Sequence, residues 1–363
     1  MGIIILPQRQ GLEMSSKAVP FFCLFFVLCV SCIGQKFDNT VHLCGNVAYE
    51  DVDVYMFVSA SEDSITVFNY QDSLFFTTYY NGGKQKFLRR GRGLYEVMNP
   101  LCFALCGDDL VIVDHSGLSA PSKLITVNLR TPNDYSSWTI NDISWIGSAR
   151  PICSIIRLTQ TSYLTTSGRY SSGTALSFLD TQDKVFEPID FRVPLVTKSS
   201  LFVQDAVLAS SAITRNAISN SLFGYSCGEG KYLEIVELNN NHSVKKRSVV
   251  LNIPPKFDED SKGSYKMRDR TNRGIRVKST SNHIFAFYNH PIELQDYKGY
   301  PTYYNDYLDV FDWEGKFIER IVFDEPFSDF IVTPNDRVIY TSTINLNTFM
   351  PIIKKYHSHL EAT

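Results

Sequence analysis

Gly224-Tyr-Ser-Cys-Gly228 has the spacing of a nucleophile elbow, in which a serine between two glycines is exposed on a sharp strand-to-helix turn and attacks an acyl group. The next residues are Glu229-Gly-Lys231 and then the alternating run Tyr232–Leu238, a turn and a strand. The helix is missing, and a strand-end turn accounts for the motif. His357-Ser-His359 could set two imidazoles on one side of a strand, as zinc requires, but no third ligand accompanies them and a frayed polar tail is the expectation. His283 and His290 bracket Ile284-Phe-Ala-Phe-Tyr288 and read as structural. Asp114, Asp180 and Asp205 stand at strand ends and would give a glycan hydrolase or lyase its two carboxylates if a pair met about 5–10 Å apart in one pocket. Their spacing does not demand this, so no catalytic residue, metal or cofactor is assigned.

Two polar groups suit binding better than catalysis. Asn252 to Lys278 is the most polar stretch, with Asp258-Glu-Asp260 followed by Lys262, Lys266, Arg268, Arg270, Arg273, Arg276 and Lys278. A loop of this length inside a compact domain is commonly functional or disordered. It offers a basic surface for a phosphate, an acidic glycan or a partner's carboxylates, or else a solvated charged loop. Arg89, Arg90 and Arg92 form a second basic group with the same two readings. Tyr297, Tyr300, Tyr303, Tyr304 and Tyr307 cluster around Gly299 and Pro301, where rings with polar tips can stack on sugars or peptides, or pack on the domain itself.

Strands must position these groups. The chain has 363 residues, 44% hydrophobic and 13% aromatic, with 20 Tyr and 25 Phe. Rings pack well on a pleated surface. Charged residues make up 20% and the net charge is −3, which argues against a general nucleic-acid binder. Beyond residue 37 the apolar pattern alternates in short runs broken by Gly, Asn, Asp and Ser, as antiparallel strands require. Ser64–Asn69 and Ser73–Tyr80 are one pair; Leu110–Asp114 and Lys123–Leu129 are another. Tyr307–Phe311, the turn Asp312-Trp-Glu-Gly315 and the return Lys316–Phe323 are the clearest hairpin. Similar events recur near 64–90, 102–130, 152–190, 203–251, 274–323 and 327–357. Six blades over residues 32–363 would take roughly 55 residues each, more than compact propeller repeats of about 40–50. The fold class expected is therefore all-β, a β-propeller of six blades, with seven blades or a pair of sandwiches as alternatives. A ring suits so many strands because it leaves only short, protected edges.

The N-terminal residues indicate the compartment. Lys17 precedes the apolar run Ala18–Val30, which ends in Ser31-Cys32. A positive residue, about a dozen apolar residues and a small residue before the cut make a secretion signal, too short for a span of about 20 residues. Residues 1–31 are read as this signal and 32–363 as one propeller domain; Met14 offers an alternative start. Leu28-Cys-Val-Ser-Cys32 resembles a bacterial lipobox, with Cys29 where Leu is usual, so Cys32 is the expected lipidation site and a cut near Gly34 the alternative. Cys44, Cys102, Cys106, Cys153 and Cys227 are scattered and odd in number, so buried single thiols are expected, with a Cys102–Cys106 bridge the alternative.

Tyr80-Asn-Gly-Gly-Lys84 followed by Gly91-Arg-Gly-Leu-Tyr-Glu96 resembles a first-blade signature of TolB-like six-bladed propeller lipoproteins of Gram-negative bacteria, with Leu94 where Pro is usual. Leu308-Asp-Val-Phe-Asp-Trp-Glu-Gly315 resembles that family's penultimate blade, and Cys32 fits its export. The resemblance implies a non-catalytic binding protein of the periplasm or outer membrane, anchored to the membrane by its lipid. Its ligand would be a protein, glycan or peptide held at the propeller mouth, and the family carries no agreed catalytic residues. The site residues expected are Lys266, Arg268, Arg270, Arg273, Arg276, Tyr297, Tyr300, Tyr303 and Tyr304. A glycan hydrolase or lyase and a structural subunit of an envelope complex are the other readings.

Overall fold

A computed structural model describes residues 39–360 apart from 51, 53, 117–119, 148–151, 168–173, 195–207, 209–210, 256, 260–264, 268–273, 290–303 and 345–349. Two short strands come first, β1 (Thr40–Leu43) and β2 (Asn46–Glu50). Blade 1 is β3 (Met56–Ala60), β4 (Ser64–Phe68), β5 (Leu74–Tyr80) and β6 (Gly83–Arg89). Blade 2 is β7 (Pro100–Cys106), β8 (Asp109–Ser116), β9 (Ala120–Asn128) and β10 (Thr139–Asp142). Blade 3 is β11 (Ile152–Arg157), β12 (Ser162–Ser167), β13 (Leu176–Asp180) and β14 (Val185–Ile189). Blade 4 is β15 (Ala212–Arg215), β16 (Leu222–Ser226), β17 (Lys231–Leu238) and β18 (Val244–Ile253). A small hairpin, β19 (Phe257–Glu259) with β20 (Tyr265–Met267), precedes the fifth blade. Blade 5 is β21 (Ile275–Ser279), β22 (His283–Tyr288), β23 (Asn305–Asp312) and β24 (Phe317–Phe327); blade 6 holds β25 (Asp329–Val332), β26 (Val338–Ile344) and β27 (Pro351–His357).

Each blade's first strand neighbours the first strands of the blades on either side, and β25 returns to β3. The ring therefore closes at six blades, and the seven-blade and sandwich alternatives fall away. The closing strand comes from the chain's other end. β2 pairs antiparallel with β27, from Asn46↔Lys355 to Glu50↔Ile352, and so completes blade 6. β1 adds to β24 in parallel and makes blade 5 five-stranded.

The core is six wedges, one between each pair of adjoining blades. This explains the unbroken apolar runs of two second strands, Leu110–Val113 in β8 and Ile284–Phe287 in β22. Along β8, Leu110 and Ile112 face blade 1 while Val111 and Val113 face blade 3. Along β22, Ile284 and Ala286 pack towards blade 4, and Phe285 and Phe287 towards blade 6. Side chains alternate with period two, so a strand covered on both faces has no polar side to show.

Blades of four antiparallel strands impose one direction on the centre. A fourth strand ends at the face where its first strand began, and the next first strand starts there. All first strands thus run the same way, and one face of the ring carries every linker between blades and every turn between second and third strands. We name it the linker face. Gly274 brings the chain back to the centre of blade 5 at this face with φ +71°; a Cβ there would stand 2.1 Å from the Gly228 carbonyl oxygen, so only glycine passes.

The thiols meet the expectation in part, with Cys106 and Cys153 only half-buried. Cys102 and Cys227 are buried, but Cys44 is exposed, because it sits in the two-residue link between the outer strands β1 and β2. Cys102 and Cys106 lie four residues apart on one strand, about 13 Å by strand rise, beyond the about 7 Å reach of a disulfide.

Candidate functional site

Blade 2 carries a cleft of about 710 Å³ on the linker face. Its walls come from the linker of residues 90–99, from the end of β8, the start of β9 and the end of β10. The strand register lines up Asp114, Lys123 and Asp142 across β8, β9 and β10. Directly opposed residues of antiparallel strands share a face, which gives one acid–lysine–acid row at the cleft.

These groups hold the linker. Lys123 Nζ donates to the Gly93 carbonyl at 2.8 Å, to Leu94 at 3.5 Å and to the Glu96 carbonyl. Asp114 Oδ1 accepts from the backbone amides of Met98 at 2.9 Å and Asn99 at 2.8 Å. Gly93 N donates to Glu96 Oε2 at 2.9 Å, and a Cβ on Gly91 would lie 1.9 Å from that same oxygen. The Gly91-x-Gly93-x-x-Glu96 spacing is thus a self-capped turn in which the glutamate needs the space beside the glycines.

Burial raises the Asp114 carboxyl above the ordinary carboxylate range against the pull of its two amide donors and Lys123. Burial also lowers the neighbouring His115 imidazole, whose Nδ1 makes no hydrogen bond. Asp142, on the rim, is held below the ordinary range by hydrogen bonds from Ser144. The His115 shift has a definite sign in stability. The unfolded chain takes up this proton near pH 6.5, the folded chain only at lower pH, so acidification favours unfolding as pH falls below that value. His115→Phe should therefore flatten the loss of stability between pH 7 and pH 5, read as denaturant midpoints; an unchanged slope would show the imidazole is not the group responsible.

The second feature of the linker face is the channel mouth. Asp329, first residue of β25, accepts from Phe57 N of blade 1 at 2.7 Å. Its carboxylate also meets Lys278 Nζ at 3.2 Å and Arg276 Nη1 at 3.5 Å, both from blade 5. Arg276 donates further to Asn289 Oδ1 at 3.2 Å and to the Ser328 carbonyl, and lies over the Phe287 ring. Burial lowers the pKa of both cations, with Asp329 opposing it, yet 37% and 24% of the Arg276 and Lys278 side chains remain exposed. The mouth is lined by two cations sharing one anion.

Buried ion pairs recur in blades 4 and 5. Glu234 receives Arg247 at 2.5 and 2.8 Å and the Tyr232 hydroxyl at 2.5 Å. Asp309 receives Arg320 at 2.7 and 2.9 Å, and that guanidinium lies 4.0 Å from the Tyr307 ring centroid. Both begin with Tyr-Leu-acid on a third strand and finish with an arginine on the fourth. Tyr232-Leu-Glu-Ile-Val-Glu and Tyr307-Leu-Asp-Val-Phe-Asp are in phase, a residue-level repeat that reading for turns alone passes over. The model of the family described as TolB-like 6-blade propeller-like matches residues 182–335, which contain both.

The chain is a six-bladed β-propeller, and its residues 182–335 match the TolB-like model.

The matched span includes the Leu308–Gly315 hairpin, which lies in the penultimate blade as the resemblance implied, and not the 80–96 segment. No curated protein matches the chain in sequence. Similar solved structures include the WD40 repeats of RRP9 (7% identity, TM-score 0.45, covering 87% of this chain and 79% of that one). BamB from Moraxella catarrhalis is similar at 10% identity and TM-score 0.41, covering 86% and 100% of the two chains. XC5397 from Xanthomonas campestris, a gluconolactonase, is similar at 8% identity and TM-score 0.43, covering 86% and 97%.

On this six-bladed propeller the expected contact residues fare unevenly. Cys32, Arg268, Arg270, Arg273, Tyr297, Tyr300 and Tyr303 lie outside the described residues, as do Asp205 and His290; Lys266 is placed only as backbone of β20. Arg276 is described and reaches the mouth. Tyr304 is a correction: it is buried at the head of β23, where it cannot stack on a ligand from solution. Tyr307 is covered by Arg320 and by Tyr288. Arg90 turns inward onto the Tyr70 and Phe75 rings, whereas Arg92 stands exposed at the cleft.

The paired-carboxylate idea meets a topological obstacle. Asp114 pairs with Pro100, where β7 begins, so it lies at the linker face. Asp180 pairs with Ser162, where β12 begins, at the opposite face, and caps its own turn through Gln182 N and Asp183 N. Ser226 is fully buried within β16, between β15 and β17, which removes it as a nucleophile. His359 is not frayed, since its Nε2 bonds the buried Glu319 at 2.7 Å. His283 has the structural role expected, on Asp336 at 3.0 Å.

Proposed function

We propose that this propeller is a binding protein of a bacterial envelope, exported by residues 1–31, anchored by a lipid on Cys32, and binding its ligand on the linker face. The observation that carries the binding reading is the cleft on blade 2, on the same face as the Arg276–Lys278–Asp329 mouth. The segments holding the remaining basic and tyrosine candidates start and end at this same face, because they join β20 to β21 and β22 to β23. The match of residues 182–335 to the TolB-like model and the lipobox-like Leu28–Cys32 support the envelope reading. The separation of Asp114 from Asp180 counts against that pair as the two carboxylates of a hydrolase or lyase.

The test is mass spectrometry of the protein from its native membranes, wild type beside Cys32→Ala. A diacyl or triacyl mass on a fragment starting at Cys32, lost in the variant together with membrane retention, is expected. An unmodified N-terminus near Gly34 would remove the anchor and leave a soluble exported protein; retention of residues 1–31 in the cytoplasm would overturn the reading altogether.

A further inference from the structure

The linker between blades 1 and 2 combines two properties that seldom occur together. It is apolar and exposed: 63% of Leu94 and 39% of Met98 are open to solvent, and Tyr95 beside them stacks 5.0 Å from the exposed Tyr135. It is also fixed. Lys123 holds carbonyls of Gly93, Leu94 and Glu96, Asp114 holds amides of Met98 and Asn99, and Gly91 N donates to Val97 O at 2.9 Å. Exposed apolar groups on a linker normally turn inward or move freely; holding them outward by charge-assisted bonds loses hydrophobic burial and gains nothing for the fold. A surface held in that way has already lost the conformational freedom that binding would otherwise remove.

The charges facing the cleft are not symmetric. Lys123 and Asp114 are occupied by the linker backbone, and Asp142 is engaged by Ser144 N at 2.9 Å. Arg92 is exposed on the rim and has no partner among the described residues. Leu94, Met98 and Ile140 supply apolar wall, and the unpartnered Nδ1 of the buried His115 supplies one polar group at the lining. Asp142 opposes negative charge at its own edge, so an anion is admitted only beside Arg92.

We propose that the blade 2 cleft binds a small apolar anion, its hydrophobic body against Leu94, Met98 and Ile140 and its acidic head on Arg92. This deepens the binding reading and rests on the linker face being the binding surface. It is independent of the lipid on Cys32.

The experiment uses two fluorescent probes on the mature protein: 1-anilinonaphthalene-8-sulfonate, an apolar anion, and N-phenyl-1-naphthylamine, its uncharged counterpart. Arg92→Ala should weaken the sulfonate about fivefold, as loss of one ion pair of about 1 kcal/mol implies, and leave the neutral probe unchanged. Arg92→Lys should restore most of the difference, and Leu94→Ser, at a wall residue that is 63% exposed, should weaken both probes, with unfolding midpoints close to wild type for every variant. Equal loss of both probes in Arg92→Ala, or no change in either, would overturn the assignment. Sulfonate binding that survives Arg92→Ala but is lost in Arg276→Gln would move the ligand to the channel mouth and leave the binding reading itself standing.

Discussion

Asp329→Ala should lower the stability of the propeller by about 3 kcal/mol, the low end of what breaking a buried ion pair costs, because its cations keep some water. The carboxylate joins three blades, its own, blade 5 through Arg276 and Lys278, and blade 1 through Phe57 N at a sequence separation of 272. Removing it strands a backbone donor and leaves Arg276 and Lys278 side by side on one strand without this counter-charge, where their repulsion is only partly screened. Blade 6 is also where the two ends of the chain meet, β2 against β27, so the loss falls beside the closure of the ring. Asp329→Asn should cost less, since an amide oxygen can still accept from Phe57 N, and added salt should narrow the gap between wild type and both variants by screening the charges. Denaturant midpoints of the three proteins measure this. Equal midpoints for Ala and wild type would mean the mouth contributes nothing to closure.

A chain shortened to begin at Val52 should lose cooperative unfolding or shift its midpoint by more than about 4 kcal/mol, by the burial of several half-buried side chains together with a strand's hydrogen bonds. β2 is the outer strand of blade 6, and Tyr49 on it packs against Tyr79 of blade 1 at 5.4 Å. Gly45 lies flat against the Tyr356 ring, where a Cβ would come within 2.5 Å. Without these residues β27 becomes an open edge with unpaired amides, and edges of that kind recruit other chains. Circular dichroism melting and light scattering would report it: broad melting with aggregation is expected, and a sharp transition at the wild-type midpoint would show that closure rests on the inner strands alone.

Much of this fold is legible in residue order. The runs Leu110–Val113 and Ile284–Phe287 are apolar at every position because both sheet faces are covered, and they mark the second strands of blades 2 and 5. The hairpin Asp312-Trp-Glu-Gly315 shows itself because Asp312 Oδ1 accepts from Glu314 N and Lys316 N, a local bond needing only local sequence. The assignment of β1 and β2 to the far end of the chain is not legible in the same way. Val41 and Val47 alternate like any short strand, and nothing nearby says that their partners are Ile321 and Lys354. The site followed the same division. Arg276 and Arg92 stood out as charges, but the acid between blades, Asp329, looked like an ordinary strand start. The linker's hold depends on Lys123, 30 residues away from Gly93.

By itself the sequence determined the all-β class and the position of most hairpins, since each depends on periodicity or on turns spanning a few residues, and it favoured six blades without excluding seven. Only the tertiary structure decided which end closes the ring, that Tyr304 is covered, that Asp114 and Asp180 lie on opposite faces, and that the apolar linker at Leu94 and Met98 is held outward over a cleft. Those outcomes depend on strands distant in the chain becoming neighbours around a ring, and a closed ring fixes neighbours by geometry that no local pattern encodes.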